Sequence, residues 1–406
     1  MRNGGILLLL LVLGLLTLAN SKIPNFDDLK KERETSAQRI AGHGYPVETH
    51  EVETSDGYIL TLFRIPYSPK LHNEQKERPA ILLQHGLFSC SDGYILNGPD
   101  DALPYLLADA GYDVWLGNAR GNVYSRNNTK ISLKHPNFWR FSWHEIGVID
   151  MATMIDYILE QTGQSALHYA GHSQGTTVFF VLMSMRPEYN EKIKTAHMLA
   201  PVVYVGNMTE TLITRLAPIL GVPGLWSNLF GDQEFFPQNS WIQNILNAFC
   251  GGDVRFPKYC KNVFLMYTGS GHVNFNMTLL PQVAETHPAG VSTNQMLHYL
   301  QEFISNEFRQ FDYGQLKNKK LYGQDTPPNY DLEKVTAPVY LYYGDGDDSA
   351  NPRDVSRLAA KLPNLKLNHR VPLETWGHLD FLFALKVKTY INDVVIQACN
   401  EYENNN

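Results

Sequence analysis

Basic clusters are missing from this chain: no run of five Lys or Arg occurs, and 34 basic against 41 acidic residues leave a formal charge of −7. A surface that tracks a phosphate backbone needs the opposite balance, so no nucleic-acid partner is expected. Long hydrophobic runs are nearly missing too. The one clear example, Ile6 to Leu18, follows Arg2 and stops at Asn20-Ser21-Lys22. That is short of the ~20 apolar residues a membrane span needs and fits a secretory signal peptide, with residues 1–19 removed after Ala19. No stable transmembrane anchor is expected, and a secreted product is, with the lysosome as the alternative destination.

Cysteine is scarce, with 4 in 406 residues. Cys250 and Cys260 form a close pair around Gly251-Gly252 and are expected to be bridged in an oxidising compartment, whereas Cys90 and Cys399 stand alone. That set cannot build an ordinary structural zinc site, and neither Gly-x-x-x-x-Gly-Lys nor His-Glu-x-x-His occurs. No cofactor and no metal are expected. In the secretory route the sequons at Asn127, Asn207 and Asn276 become expected glycosylation sites.

The composition that remains, 44% apolar and 18% charged, is that of a folded globule. Short buried-strand patterns recur at Ala80 to Gln84, Tyr112 to Leu116, Ala166 to Ala170, Ala196 to Ala200 and Val339 to Tyr343, preceded by a hairpin pattern at His50–Thr54 and Tyr58–Ile65. Amphipathic helical patterns separate several of them. One runs from Asp150 to Thr162, with Asp150 read as its cap. Such alternation predicts an α/β fold with a mostly parallel sheet covered on both faces. It breaks between residues 201 and 329, where Leu, Phe, Trp and Pro are frequent. This stretch reads as a helical insertion, giving a core of residues 20–200 and 330–406 and a cap of 201–329. Leu212, Leu216, Ile219, Trp226, Phe230, Trp241, Ile245, Leu246 and Phe249 read as its helical core, with Trp241 and Phe249 the first candidates for an interfacial surface.

One motif carries chemistry. Gly171-His172-Ser173-Gln174-Gly175 sits between a strand pattern and a helix pattern, the setting of a nucleophile elbow. A serine hydroxyl needs a base, and the base needs an orienting carboxylate, which in this fold follow in the order Ser, acid, His. The strand at Val339 runs into Gly344-Asp345-Gly346-Asp347-Asp348, so Asp347 is the expected acid, with Asp348 and Asp345 as competitors. Of the two histidines beyond it, His378 follows the last strand pattern and is the expected base, while His369 lies inside that pattern. An oxyanion needs two amides, expected from Gln174 and from Leu87, after the strand that ends in Gln84-His85-Gly86. His85 itself reads as structural.

Together with Gly57-Tyr58-Ile59-Leu60, Asn118-Ala119-Arg120-Gly121-Asn122, Phe138 to Glu145 and His378-Leu379-Asp380-Phe381, these motifs make the chain resemble the acid lipases of the gastric and lysosomal type. The resemblance runs from about Gly44 to the C-terminal region. It implies an α/β-hydrolase fold with an inserted, mainly helical cap and lid. It carries the family's triad onto Ser173, Asp347 and His378, its oxyanion amides onto Leu87 and Gln174, and its cap cysteines onto Cys250 and Cys260. The implied activity is hydrolysis of neutral lipid esters, triacylglycerol or sterol ester, at an oil–water or membrane interface. A general carboxylesterase or acyltransferase with the same triad is the alternative, and a non-catalytic lipid-binding protein is a further one. Two departures stand out: the acid segment carries Asp348 and Asn351 where the family has an apolar and an acidic residue, and Cys90 lies just past the oxyanion loop.

Overall fold

A computed structural model describes residues 33–74, 76–209, 211–221, 232–235 and 273–405, apart from the side chain of Leu212. The expected signal peptide, the pair Cys250 and Cys260, and Trp226, Phe230, Trp241, Ile245, Leu246 and Phe249 lie outside the described residues. The short apolar runs form the middle of a sheet. In chain order its strands are β1 (Glu48–Glu53), β2 (Tyr58–Ile65), β3 (Ala80–Gln84), β4 (Asp113–Gly117), β5 (Asn127–Asn128), β6 (Leu167–His172) and β7 (Ile193–Leu199). After the two-residue strands β8 (Glu234–Phe235) and β9 (Val291–Ser292) come β10 (Val339–Tyr343) and β11 (Leu365–Arg370).

The spatial order is β1-β2-β4-β3-β6-β7-β10-β11, with β5 paired to β2 and the β8–β9 ribbon separate. From β4 to β11 all pairings are parallel, while β1 and β2 are antiparallel additions at one edge. Every residue of β3, β4 and β6 is buried. Strands covered on both faces lose the apolar–polar alternation and read as continuous apolar runs, which is why the sequence exposed them.

The principal helices are α1 (Ser36–Gly42), α2 (Leu103–Asp109), α3 (Ala152–Thr162), α4 (Gln174–Met185), α5 (Leu212–Leu220), α6 (Leu280–Thr286), α7 (Thr293–Ser305), α8 (Gln315–Tyr322), α9 (Pro352–Ala359) and α10 (Asp393–Asn405). None among the described residues is long and apolar enough to cross a membrane. The described residues from Thr35 onward form one compact unit. The described residues between β7 and β10 supply α5 to α8 and the small β8–β9 ribbon, whose two-residue strands are too short to leave a pattern.

Two local expectations are corrected. Asp150 does not cap a helix. Ser142 does, in a reciprocal capping box with Glu145, and the helical path runs on from Trp143 through a π turn at Ile146–Met151 into α3. Asp150 is instead fully buried against Arg120, its Oδ1 accepting from Nε at 2.7 Å and its Oδ2 from the Arg120 amide at 3.0 Å. An unpaired carboxylate there would cost several kcal/mol, so the residue serves the buried ion pair and not the helix end. Ile219, read as helical core, is 61% exposed near the end of α5.

Candidate active site

The site begins where β6 ends. Ser173 links β6 to α4 with φ 54° and ψ −119°, a conformation that L-residues avoid and that only a firmly held turn maintains. Its amide donates to the carbonyl of Leu199 in β7 at 3.0 Å, which ties the turn to the neighbouring strand. Close packing explains the flanking glycines. A Cβ on Gly175 would stand 2.3 Å from the carbonyl oxygen of Gln84, and one on Gly86 would stand 2.9 Å from Cβ of Ser173. The loop after β3 therefore runs directly against the serine.

His378 lies on the segment that follows β11, and Asp347 on the segment that follows β10. The Ser173 hydroxyl donates to Nε2 of His378 at 2.8 Å, while Nδ1–H of His378 donates to Asp347 Oδ2 at 2.9 Å. Asp347 Oδ1 also accepts the amides of Ser349 and Ala350, each at 2.8 Å, and both Asp347 and His378 are buried. The competing acids are engaged elsewhere: Asp348 accepts from the Thr209 hydroxyl, and Asp345 pairs with Arg370 at the surface. His369 lies within β11, away from this chain of bonds.

Leu87, on the β3 loop, lines the same cavity as Ser173, and Gln174 takes the first position of α4. His85 is structural, as its sequence setting suggested. Its Nδ1–H donates to the Gly86 carbonyl at 2.8 Å, and its Nε2 accepts from the Ala119 amide and the Asn122 side chain, both at 3.1 Å. Burial holds this imidazole down at about 4, so it stays neutral. The segment Asn118 to Asn122 thus props the loop that carries Leu87.

Two supporting residues were not singled out from the sequence. His172, one residue before the serine, donates from Nε2 to the carbonyl of His378 at 2.9 Å, and burial followed by repulsion from His378 lowers it to about 3. Asp380, two residues past His378, is fully buried: Oδ2 accepts from the Gly377 amide at 2.8 Å and from Asn274 Nδ2 at 3.1 Å, while Oδ1 has no hydrogen-bond partner among the described residues. Burial raises its carboxyl to about 6, against the opposing pull of Gly377 and Asn274. Both residues sit inside motifs quoted for the resemblance, yet nothing in spacing alone assigns them a task.

Around Ser173 the structure opens an apolar cavity, walled by Leu87, Phe88, Val202, Met208, Ile213 and Met296 among others. Of the remaining expected positions, Asn127 is exposed on β5 and Asn276 caps the turn Met277–Leu279. The Asn207 amide nitrogens are held by the buried Asp354, both at 2.8 Å. Cys90 and Cys399 are buried and unbridged. No cluster able to hold a metal ion occurs among the described residues.

Residues 79–385 match the family model for the alpha/beta hydrolase fold, and residues 36–98 match a partial alpha/beta-hydrolase lipase region. The chain is 45% identical to Lipase 3 of Drosophila melanogaster, covering 90% of this chain and 93% of that protein. It is 39% identical to the gastric triacylglycerol lipase of Homo sapiens, covering 88% and 89%. Against the lysosomal acid lipase/cholesteryl ester hydrolase of Macaca fascicularis it is 36% identical, covering 90% of each. Among solved structures, a soluble variant of monoglyceride lipase from Saccharomyces cerevisiae superposes with a TM-score of 0.52 at 14% identity, over 88% of this chain and 98% of that one, a likeness of fold. With an elbow serine at the end of β6, the sheet order above and relatives at this identity over nearly their whole length, the chain belongs to the acid lipase family of α/β hydrolases.

Proposed function

We propose that this protein hydrolyses esters of neutral lipids, triacylglycerol or sterol ester, through an acyl-enzyme on Ser173. The observation that carries the assignment is the unbroken bond chain Ser173–His378–Asp347 opening into an apolar cavity. His378 Nε2 takes the hydroxyl proton as Ser173 Oγ attacks the ester carbonyl, and Asp347 holds the imidazolium that forms. The amides of Leu87 and Gln174 receive the oxyanion. His378 then gives the proton to the leaving alcohol, and water attacks the acyl-enzyme by the reverse route to release fatty acid. No cofactor or metal enters this scheme.

Residues 201–329 act as the cap, a role supported by Val202, Met208, Ile213, Val283, Met296 and Tyr299, all of which line the cavity. Gastric and lysosomal names among the relatives support a secretory-pathway protein, secreted or lysosomal, with residues 1–19 as its signal peptide, a Cys250–Cys260 bridge and glycans on the accessible sequons. Peptide mapping without reduction tests the bridge, and alkylation of both thiols before reduction would overturn it.

The decisive experiment is labelling by a fluorophosphonate probe alongside hydrolysis of emulsified long-chain triacylglycerol. Labelling at Ser173, lost in Ser173→Ala together with turnover, is expected. Labelling with hydrolysis of short soluble esters alone would make the protein a general carboxylesterase, and an unlabelled wild type would mark a non-catalytic relative.

A further inference from the structure

A second serine–histidine pair faces the same cavity, and the mechanism makes no use of it. Ser89 and His287 both line the space in front of Ser173, and Ser89 Oγ lies 2.9 Å from His287 Nε2. The proton positions follow from the neighbours. On the other side of the ring, Nδ1 faces Thr286 Oγ1 at 2.9 Å and the Val283 carbonyl at 3.3 Å. The Thr286 hydroxyl proton goes to the carbonyl of Gln282 at 2.8 Å, so Thr286 can only accept from the ring. Nδ1 therefore carries the imidazole proton and Nε2 a lone pair. Ser89 donates to that lone pair in preference to its other acceptor, the Cys90 carbonyl at 3.3 Å.

With its proton committed, Ser89 Oγ has only lone pairs to offer. It is a hydrogen-bond acceptor on an otherwise mainly apolar wall, and the ligand group that satisfies it is a donor. A neutral lipid ester has no N–H, and its acyl chains have no donor at all. The remaining donor chemistry is a free hydroxyl on the alcohol portion. We propose that Ser89, oriented by His287, is a subsite for the free hydroxyl of a partially esterified polyol such as a diacylglycerol. The site is bound to the catalytic apparatus: the Ala289 amide donates to the Phe88 carbonyl at 2.7 Å, and the Ser89 amide to the Gly86 carbonyl at 3.2 Å. This inference rests on the ester-hydrolase reading and sharpens it: a triacylglycerol frees such a hydroxyl at its first cleavage and can return to the site as a diacylglycerol, whereas a sterol ester never carries one beside its ester.

The test compares 1,2-dioctanoylglycerol with its 3-O-methyl ether, two diesters that differ in one hydroxyl donor. The wild type is expected to favour the free hydroxyl by about tenfold in kcat/KM, the scale of one buried hydrogen bond. Ser89→Ala should bring the two substrates within about twofold of each other by slowing the diacylglycerol alone. His287→Gln, which keeps an acceptor for the Ser89 proton, should retain most of the preference and covers the case in which Ser89→Ala does not fold. A wild type that hydrolyses both diesters equally, or a Ser89→Ala enzyme that slows equally on both, overturns the subsite and leaves ester hydrolysis standing. A wild type that cleaves neither diester and resists fluorophosphonate overturns the ester-hydrolase reading itself.

Discussion

His172 holds His378 by its main chain: the ring that precedes Ser173 donates from Nε2 to the carbonyl of His378 at 2.9 Å, and the two rings sit 5.0 Å apart. The elbow therefore fixes both the hydroxyl and the loop that carries its proton acceptor. Replacing His172 with Leu leaves that carbonyl buried without a donor. The expected result is a loss of about 10- to 100-fold in kcat on a short soluble ester, with KM changed far less, because the base drifts while the cavity remains. His172→Gln, which can still donate, should recover part of the loss. Steady-state kinetics on the two variants checks this.

The three acids after β10 are separated by their partners. Asp347→Asn should cost about two or more decades in kcat, since His378 then loses the carboxylate that fixes its tautomer. Asp345→Asn only weakens a surface pair with Arg370, and Asp348→Asn disturbs the Thr209 contact, so each should stay within about threefold of wild type. A nearly inactive Asp348→Asn beside an active Asp347→Asn would reassign the acid.

Asp380 makes stability fall as pH rises. Its folded carboxyl titrates at about 6, above the ordinary 3.8. Between those values the folded chain keeps a proton that the unfolded chain has released, so raising the pH through this window removes stability, and above it the effect is constant. Asp380→Asn carries no such proton. Its stability relative to wild type should improve between pH 4 and pH 7 by up to about 3 kcal/mol, read from urea unfolding at the two pH values. A difference independent of pH would mean that Asp380 is already ionised at the lower value.

The three sequons should not be equivalent. Asn127 is exposed, whereas both amide nitrogens of Asn207 bind Asp354, which is 1% exposed. A glycan on Asn207 Nδ2 would have to displace that contact. Glycopeptide mass spectrometry of protein expressed through a eukaryotic secretory route is expected to find Asn127 occupied and Asn207 bare. Full occupancy of Asn207 would refute this.

What the sequence disclosed followed from the physics of each element. The central strands were legible because burial on both faces makes them uniformly apolar, and the hydrogen-bonded set Ser173, His378 and Asp347 could be picked out because the proposed chemistry needs fixed residue types in a fixed order. The start of the helix before α3 was misread, although Ser142-Trp143-His144-Glu145 is itself a capping-box pattern. An acid near an amphipathic stretch looks the same whether it caps the helix or pairs with Arg120 from a distant loop. His172, Asp380 and the Ser89–His287 pair were not legible for the same reason. Their partners are a carbonyl, an amide and residues some two hundred positions away, and such contacts exist only once the chain has folded.

The stretch between β7 and β10 is fastened at two places to the loops that hold Asp347 and His378. Near its start, Asn207 and Thr209 bond to Asp354 and Asp348, on the segment that carries Asp347. Farther along, Asn274 bonds to Asp380, Phe275 bridges to Ala384, and the Asn276 amide donates to the carbonyl of Phe383, just past His378. Substrate range and turnover consequently share a mechanical linkage. Remodelling the region above the cavity to admit a new lipid strains the spacing between Asp347 and His378, so variants selected for altered specificity should need compensating changes at Asp354, Asp380 or their partners before full speed returns.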